Sequence, residues 1–171
     1  MRALGNLYDI TNQWIPVADL AAGAQTGARI HLNKHESVTF VVFMGAVSAG
    51  TDDFVPDVQQ HTASSSGTTG DLDVITEFYI KFEATLDGDE TWTRVTQSAA
   101  SEVTLTGATY AAHQAIVVFE VDGTQLSDGY EWISIVMADP GSGGTRAGCA
   151  LAILNKPYTP ARPDRLAALL A

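Results

Sequence analysis

Residues 78–86, FYIKFEATL, place the tightest limit on what this chain can fold into. Phe78, Ile80, Phe82, Ala84 and Leu86 alternate with Tyr79, Lys81, Glu83 and Thr85. A period of two puts one set on a core and the other toward water, as in a half-buried β-strand. A helix can be drawn through Leu72, Ile75, Tyr79, Phe82 and Leu86, but the aromatic and β-branched content favours the strand. DGDE (87–90) follows, and TWTRVTQ then resumes a β-branched run. Residues 77–97 are therefore expected to form a hairpin with a tight turn.

Further strands are expected at RIHL (29–32), SVTFVVFM (37–44), FVPDVQQH (54–61), AIVVFEV (115–121), EWISIVM (131–137) and GCALAIL (148–154). About eight short strands between Gly/Asp/Ser-rich turns predict an all-β antiparallel sandwich or jelly roll. Pro56 marks its strand as an edge or a bulge. The Asp-Gly-Tyr step at 128–130 is similar to the tyrosine corner of Greek-key sandwiches and supports the same class.

The two ends differ from this middle. Residues 1–15 scatter Leu4, Leu7, Tyr8, Ile10 and Trp14 without a sustained period, and residues 155–165 hold three prolines and three basic residues. Prolines exclude a central strand and favour an extended arm. RLAALLA closes the chain, with Leu166, Leu169 and Leu170 on one face if helical, too short a segment to hold a helix alone. The expected layout is one domain, 1–171: an N-terminal arm (1–15), a sandwich (16–154) and a Pro-rich C-terminal arm (155–171). Leu4, Leu7, Tyr8, Trp14, Tyr158, Leu166, Leu169 and Leu170 are the candidate partner-binding residues, because apolar groups on arms need a surface to lie on.

Composition narrows the function. The 171 residues are 46% hydrophobic and 17% charged, which suits a globular domain with a real core. Twenty acidic against nine basic groups give a net charge of -11, which disfavours nucleic acid and anionic membranes as partners. The single cysteine, Cys149, excludes an internal disulfide and is expected as a buried free thiol with no basic neighbour to activate it. No window reaches transmembrane length, and Asp9 interrupts any secretory apolar run, so the chain is expected to begin where it is written.

No stretch assembles a catalytic site. VQQHTASSSGTTGDLDV (58–74) puts His61, Ser64–Ser66, Asp71 and Asp73 together, but lacks a nucleophile elbow and has the composition of a loop. His31 and His35, with Glu36 beside them, have metal-ligand spacing only on a helix, and a strand-turn-strand would diverge the rings. His113 is isolated. DGDE has the oxygen density of a calcium loop without the EF-hand pattern. Asp52, Asp53, Asp71 and Asp73 could join it if the fold gathered those loops. Acid pairs for glycoside hydrolysis depend on the fold. Trp14, Trp92 and Trp132 would make a sugar platform only if brought to one face. No catalytic residue, metal ligand or cofactor is assigned.

LGNLYDITNQW (4–14), FVPDVQQHTASSSG (54–67), FYIKFEATLDGDETWTRVTQ (78–97) and ALAILNKPYTPARPDRL (150–166) together resemble small virion proteins of tailed bacteriophages and prophages. The chain is similar to the minor capsid, cement or decoration proteins encoded near the major capsid gene. The likeness covers most of the chain and is one of texture and layout, with no ligand signature to carry over. It implies a non-enzymatic, homo-oligomeric structural protein, a trimer being one arrangement. Its partner would be the major capsid protein lattice, and its place the virion, assembled in the host bacterial cytoplasm. Many copies on a lattice turn weak arm contacts into firm attachment. The alternative is a carbohydrate- or receptor-binding sandwich of a phage tail or adhesin, dependent on calcium if the acidic loops bind it.

Overall fold

The computed structural model describes residues 3–47, 52–141, 144–159 and 163. Its strands are β1 (Tyr8–Val17), β2 (Gln25–Thr26), β3 (Ile30–His31), β4 (His35–Met44), β5 (Asp57–His61) and β6 (Thr69–Asp71). They continue with β7 (Ile75–Glu83), β8 (Thr93–Ala100), β9 (Gln114–Asp122), β10 (Trp132–Met137) and β11 (Gly148–Pro157). They form a β-sandwich of a six-stranded sheet, β1-β11-β4-β9-β7-β8, and a five-stranded sheet, β2-β10-β5-β6 with β3 also on β10. The strand pairings are antiparallel. The fold class is therefore the expected one.

The core lies between the sheets. Val38, Phe40 and Val42 of β4, Val117, Phe119 and Val121 of β9, and Ala150, Ala152 and Leu154 of β11 point inward from the large sheet. Ile30, Val58, Ile133 and Ile135 meet them from the small one. Phe40 and Phe119, on neighbouring strands, hold their rings 5.5 Å apart in a tilted pair. The phase of β7 is as the alternation requires: Phe78 and Ile80 are buried, Phe82 packs against the core, and Tyr79 is exposed.

The N-terminal segment is where the expectation fails. Tyr8–Val17 is no arm but the edge strand β1, paired with β11 from Tyr8↔Asn155 to Val17↔Gly148. Trp14, expected on a partner, is 2% exposed and belongs to this domain's own core. Its indole Nε1 donates to the carbonyl of Ile135 in the opposite sheet, at 3.2 Å. Beside it, Gln13 accepts from the Ile135 amide at 2.9 Å and donates to the Ala28 carbonyl at 2.9 Å. Two adjacent side chains of β1 thus stitch the sheets together. Register shifts between Asn12 and Trp14, and between Trp14 and Val17, erase the period of two that would have announced the strand.

Smaller differences have local causes. β11 runs on through Asn155, Lys156 and Pro157, so the C-terminal arm begins later than residue 155. The β7–β8 connection spans residues 84–92 and is not a tight turn. Pro56 lies just before β5, which pairs on both sides and is not an edge. Cys149 is half-buried on the outer side of β11, not in the core. Leu166, Leu169 and Leu170 lie outside the described residues.

Candidate functional site

The outer face of the six-stranded sheet is unusual for an antiparallel sandwich. Such sheets commonly alternate apolar-in with polar-out. Here the register aligns Asn12, Leu151, Val41, Val118, Tyr79 and Arg94 in one row across all six strands. One row on lie Cys149, Phe43, Ile116 and Lys81, and on the other side Ile10, Ile153, Thr39 and Glu120. Ile10, Phe43 and Tyr79 are 45%, 38% and 40% exposed, and their aliphatic neighbours Val41, Ile116, Val118, Leu151 and Ile153 are half-buried. The signal was in the sequence: FVVF, AIVV and LAIL leave no polar position between inward residues. Runs of this kind make both faces of their strands apolar.

Charge gathers at the rim of this face. The Glu77 carboxylate is hydrogen-bonded by the Arg94 guanidinium, which holds its pKa below the usual range. The Lys156 ammonium lies 2.8 Å from Glu36, and that contact raises its pKa. At the same end Ser37 donates to Glu120 at 2.7 Å, and Asn155 donates to Thr39 at 2.8 Å. All of these groups except Arg94 border an open groove of about 830 Å³ that also takes in Leu7, Tyr79 and Asp122.

The predicted arm residues end up close to that groove. Leu7 is 59% exposed, and its carbonyl accepts from the Lys156 amide at 2.8 Å. Tyr158, 67% exposed, follows directly, with its amide bonded to the Lys34 carbonyl at 3.0 Å. Tyr8 is half-buried opposite Asn155, and Leu4 is half-buried in an isolated bridge to Tyr8. Residues 4–8 and 155–158 therefore gather at one end of β1 and β11.

Among the described residues one group of acids is close enough to share a cation: Glu83, Asp87, Asp89 and Glu90, with oxygens within 4.8 Å of one another. Glu83 reaches it from the end of β7, and the other three come from the following loop. Glu90 already accepts from the Asp87 amide at 2.6 Å, which fixes the loop without an ion. Trp92 stands half-exposed after this loop, with the Lys81 ammonium 5.3 Å from its ring centre. The other acids do not join. Asp53 caps the Gly107 amide at 2.8 Å, and Asp73 the Ser101 amide at 3.0 Å.

The histidines and tryptophans are dispersed too. His31 stacks on Trp132 at 4.4 Å in the small sheet, whereas His35 opens β4 of the large one, opposite Pro157. Burial lowers the His35 pKa. His113 packs edge-on against Phe82 at 5.4 Å. Trp14 is inside and Trp132 is covered by His31, so the three indoles share no platform.

His61, the last residue of β5, is 3% exposed. Its Nδ1 is 2.9 Å from Thr69 Oγ1 and its Nε2 is 2.8 Å from Ser134 Oγ. Burial, with a smaller push from Arg29, lowers its pKa to about 4. Ser134 is 1% exposed, so no substrate reaches this pair. The exposed serines 64–66 lie on the β5–β6 loop, which Arg29 holds by donating to the Ala63 carbonyl at 2.9 Å.

No helix among the described residues is long and apolar enough to cross a membrane. In comparisons with known proteins, no family model, no curated protein and no solved structure matches this chain.

Proposed function

We propose that this chain is a non-enzymatic structural protein of a tailed-phage virion. In this reading it is a cement, decoration or minor capsid protein that binds the major capsid lattice and stabilises the shell. One observation carries the reading: the outer face of the large sheet is apolar along the middle of β11, β4 and β9, flanked by Ile10 of β1 and Tyr79 of β7, with charges at its rim. Water-exposed apolar area of that extent marks a surface made to be covered. The resemblance of the sequence to small virion proteins supplies the kind of assembly. The test is co-sedimentation of the purified protein with undecorated capsids, with particle stability to heat measured alongside. Binding with a rise in particle stability is the expected result, and absence from the capsid pellet would sink the reading.

A second reading has its own observation. The four-acid cluster Glu83, Asp87, Asp89 and Glu90 lies just before the half-exposed Trp92. Carboxylate oxygens suit calcium, and an exposed indole suits a sugar ring. A glycan array with and without chelator separates this calcium-dependent carbohydrate-binding module from a cement protein.

A further inference from the structure

We propose that a second copy of this chain covers the outer face of the six-stranded sheet, giving a two-fold dimer whose large sheets stack face to face. The proposal rests on the reading of the chain as an assembling structural protein and names the partner of that face.

Three features point to a second copy. The first is area. Six strands about 4.8 Å apart, each up to about ten residues long at roughly 3.3 Å per residue, make a footprint near 25 by 30 Å. That is about the 800 Å² per partner that a stable interface uses. The second is composition. Val41, Val118 and Leu151 occupy the middle, and charged side chains the margin, in the order of an interface core and rim. Outward β-branched residues on a twisted sheet pack against another such sheet about 10 Å away. The third is charge. The whole chain carries -11, yet on this face and its rim Lys81, Arg94 and Lys156 stand among Glu36, Glu77, Glu120 and Asp122, with Glu77 paired to Arg94 and Glu36 to Lys156. The repulsion that opposes two acidic copies is therefore muted where they would meet.

The test is the mass of the purified full chain by sedimentation equilibrium, read against 18.1 kDa for one copy. Twice that mass is expected at micromolar concentration. Val118→Lys, at the centre of the row, should weaken the dimer by roughly a hundredfold or more, because a two-fold interface buries the new charge twice. Tyr79→Glu, at a more exposed position, serves if the lysine variant does not fold. In the unaltered chain, alkylation of Cys149 on the same face should slow as protein concentration rises. A full chain with the mass of one copy, a dimer indifferent to both substitutions, or a Cys149 rate independent of concentration would overturn the proposal. Dimerisation that appears only after deletion of residues 160–171 would also overturn it, by assigning the face to the chain's own tail. Capsid binding is not part of this readout. A dimer that ignores capsids keeps the inference and sinks the virion reading, and a monomer that binds them does the reverse.

Discussion

His61 Nε2 lies 2.8 Å from the hydroxyl of Ser134, across the β5–β10 pairing and out of reach of water. A serine beside a histidine suggests a catalytic pair. Here the partner on the other ring nitrogen is Thr69 and not a carboxylate, and the pair is sealed inside the small sheet. Its consequence is a pH-dependent stability. The folded-state pKa, about 4, is below the ordinary 6.5, so the unfolded chain takes up the proton first. Stability from this residue is complete above pH 6.5 and is lost as pH falls toward 4, by up to about 3 kcal/mol. The buried His35, whose pKa is also lowered, acts in the same direction. Urea melts across that window should show the loss, and His61→Gln should remove most of its share. An unchanged slope in the variant would show that His61 is not the titrating group.

The serines of the same stretch should behave oppositely. Replacing Ser64, Ser65 and Ser66 with alanine should change stability by no more than about 0.5 kcal/mol and leave any activity intact, because all three are exposed. Loss of a measurable activity in a folded triple variant would revive a catalytic role for this loop.

Trp14→Ala tests whether the N-terminal segment belongs to the domain. Removing an indole that fills the core and bonds to Ile135 should cost about 3–5 kcal/mol. Gly27→Ala should also destabilise, since a Cβ there would fall 2.2 Å from Gln13 Oε1 and 2.6 Å from the Ile135 carbonyl oxygen. If thermal melting finds both variants near the parent, β1 is dispensable and the stitch between the sheets is misplaced.

On β7 the two faces should separate cleanly. Phe82→Ala loses packing against Tyr110, 5.0 Å away, and against the core, for about 3 kcal/mol. Tyr79→Ala, measured in dilute protein, should cost less than about 1 kcal/mol. The reverse order in denaturant melts would contradict the strand phase.

The sequence alone determined the sandwich, because alternation is local. In FYIKFEATL each residue's face follows from its parity, and no distant contact is needed to read it. The same locality explains the correct reading of the 58–74 serines as a loop and of His31 and His35 as divergent. Tertiary structure decided what local pattern cannot carry. The bulges of β1 break its period, and only the Ile135 backbone in the other sheet explains why Gln13 and Trp14 both turn inward. Glu83 joins Asp87, Asp89 and Glu90 only when the loop folds back on β7. Val41, Val118, Leu151 and Tyr79 are far apart in the chain and become one row only through strand register. An interaction surface is a sum over neighbouring strands, and which strands are neighbours is a property of the folded topology, not of any one segment.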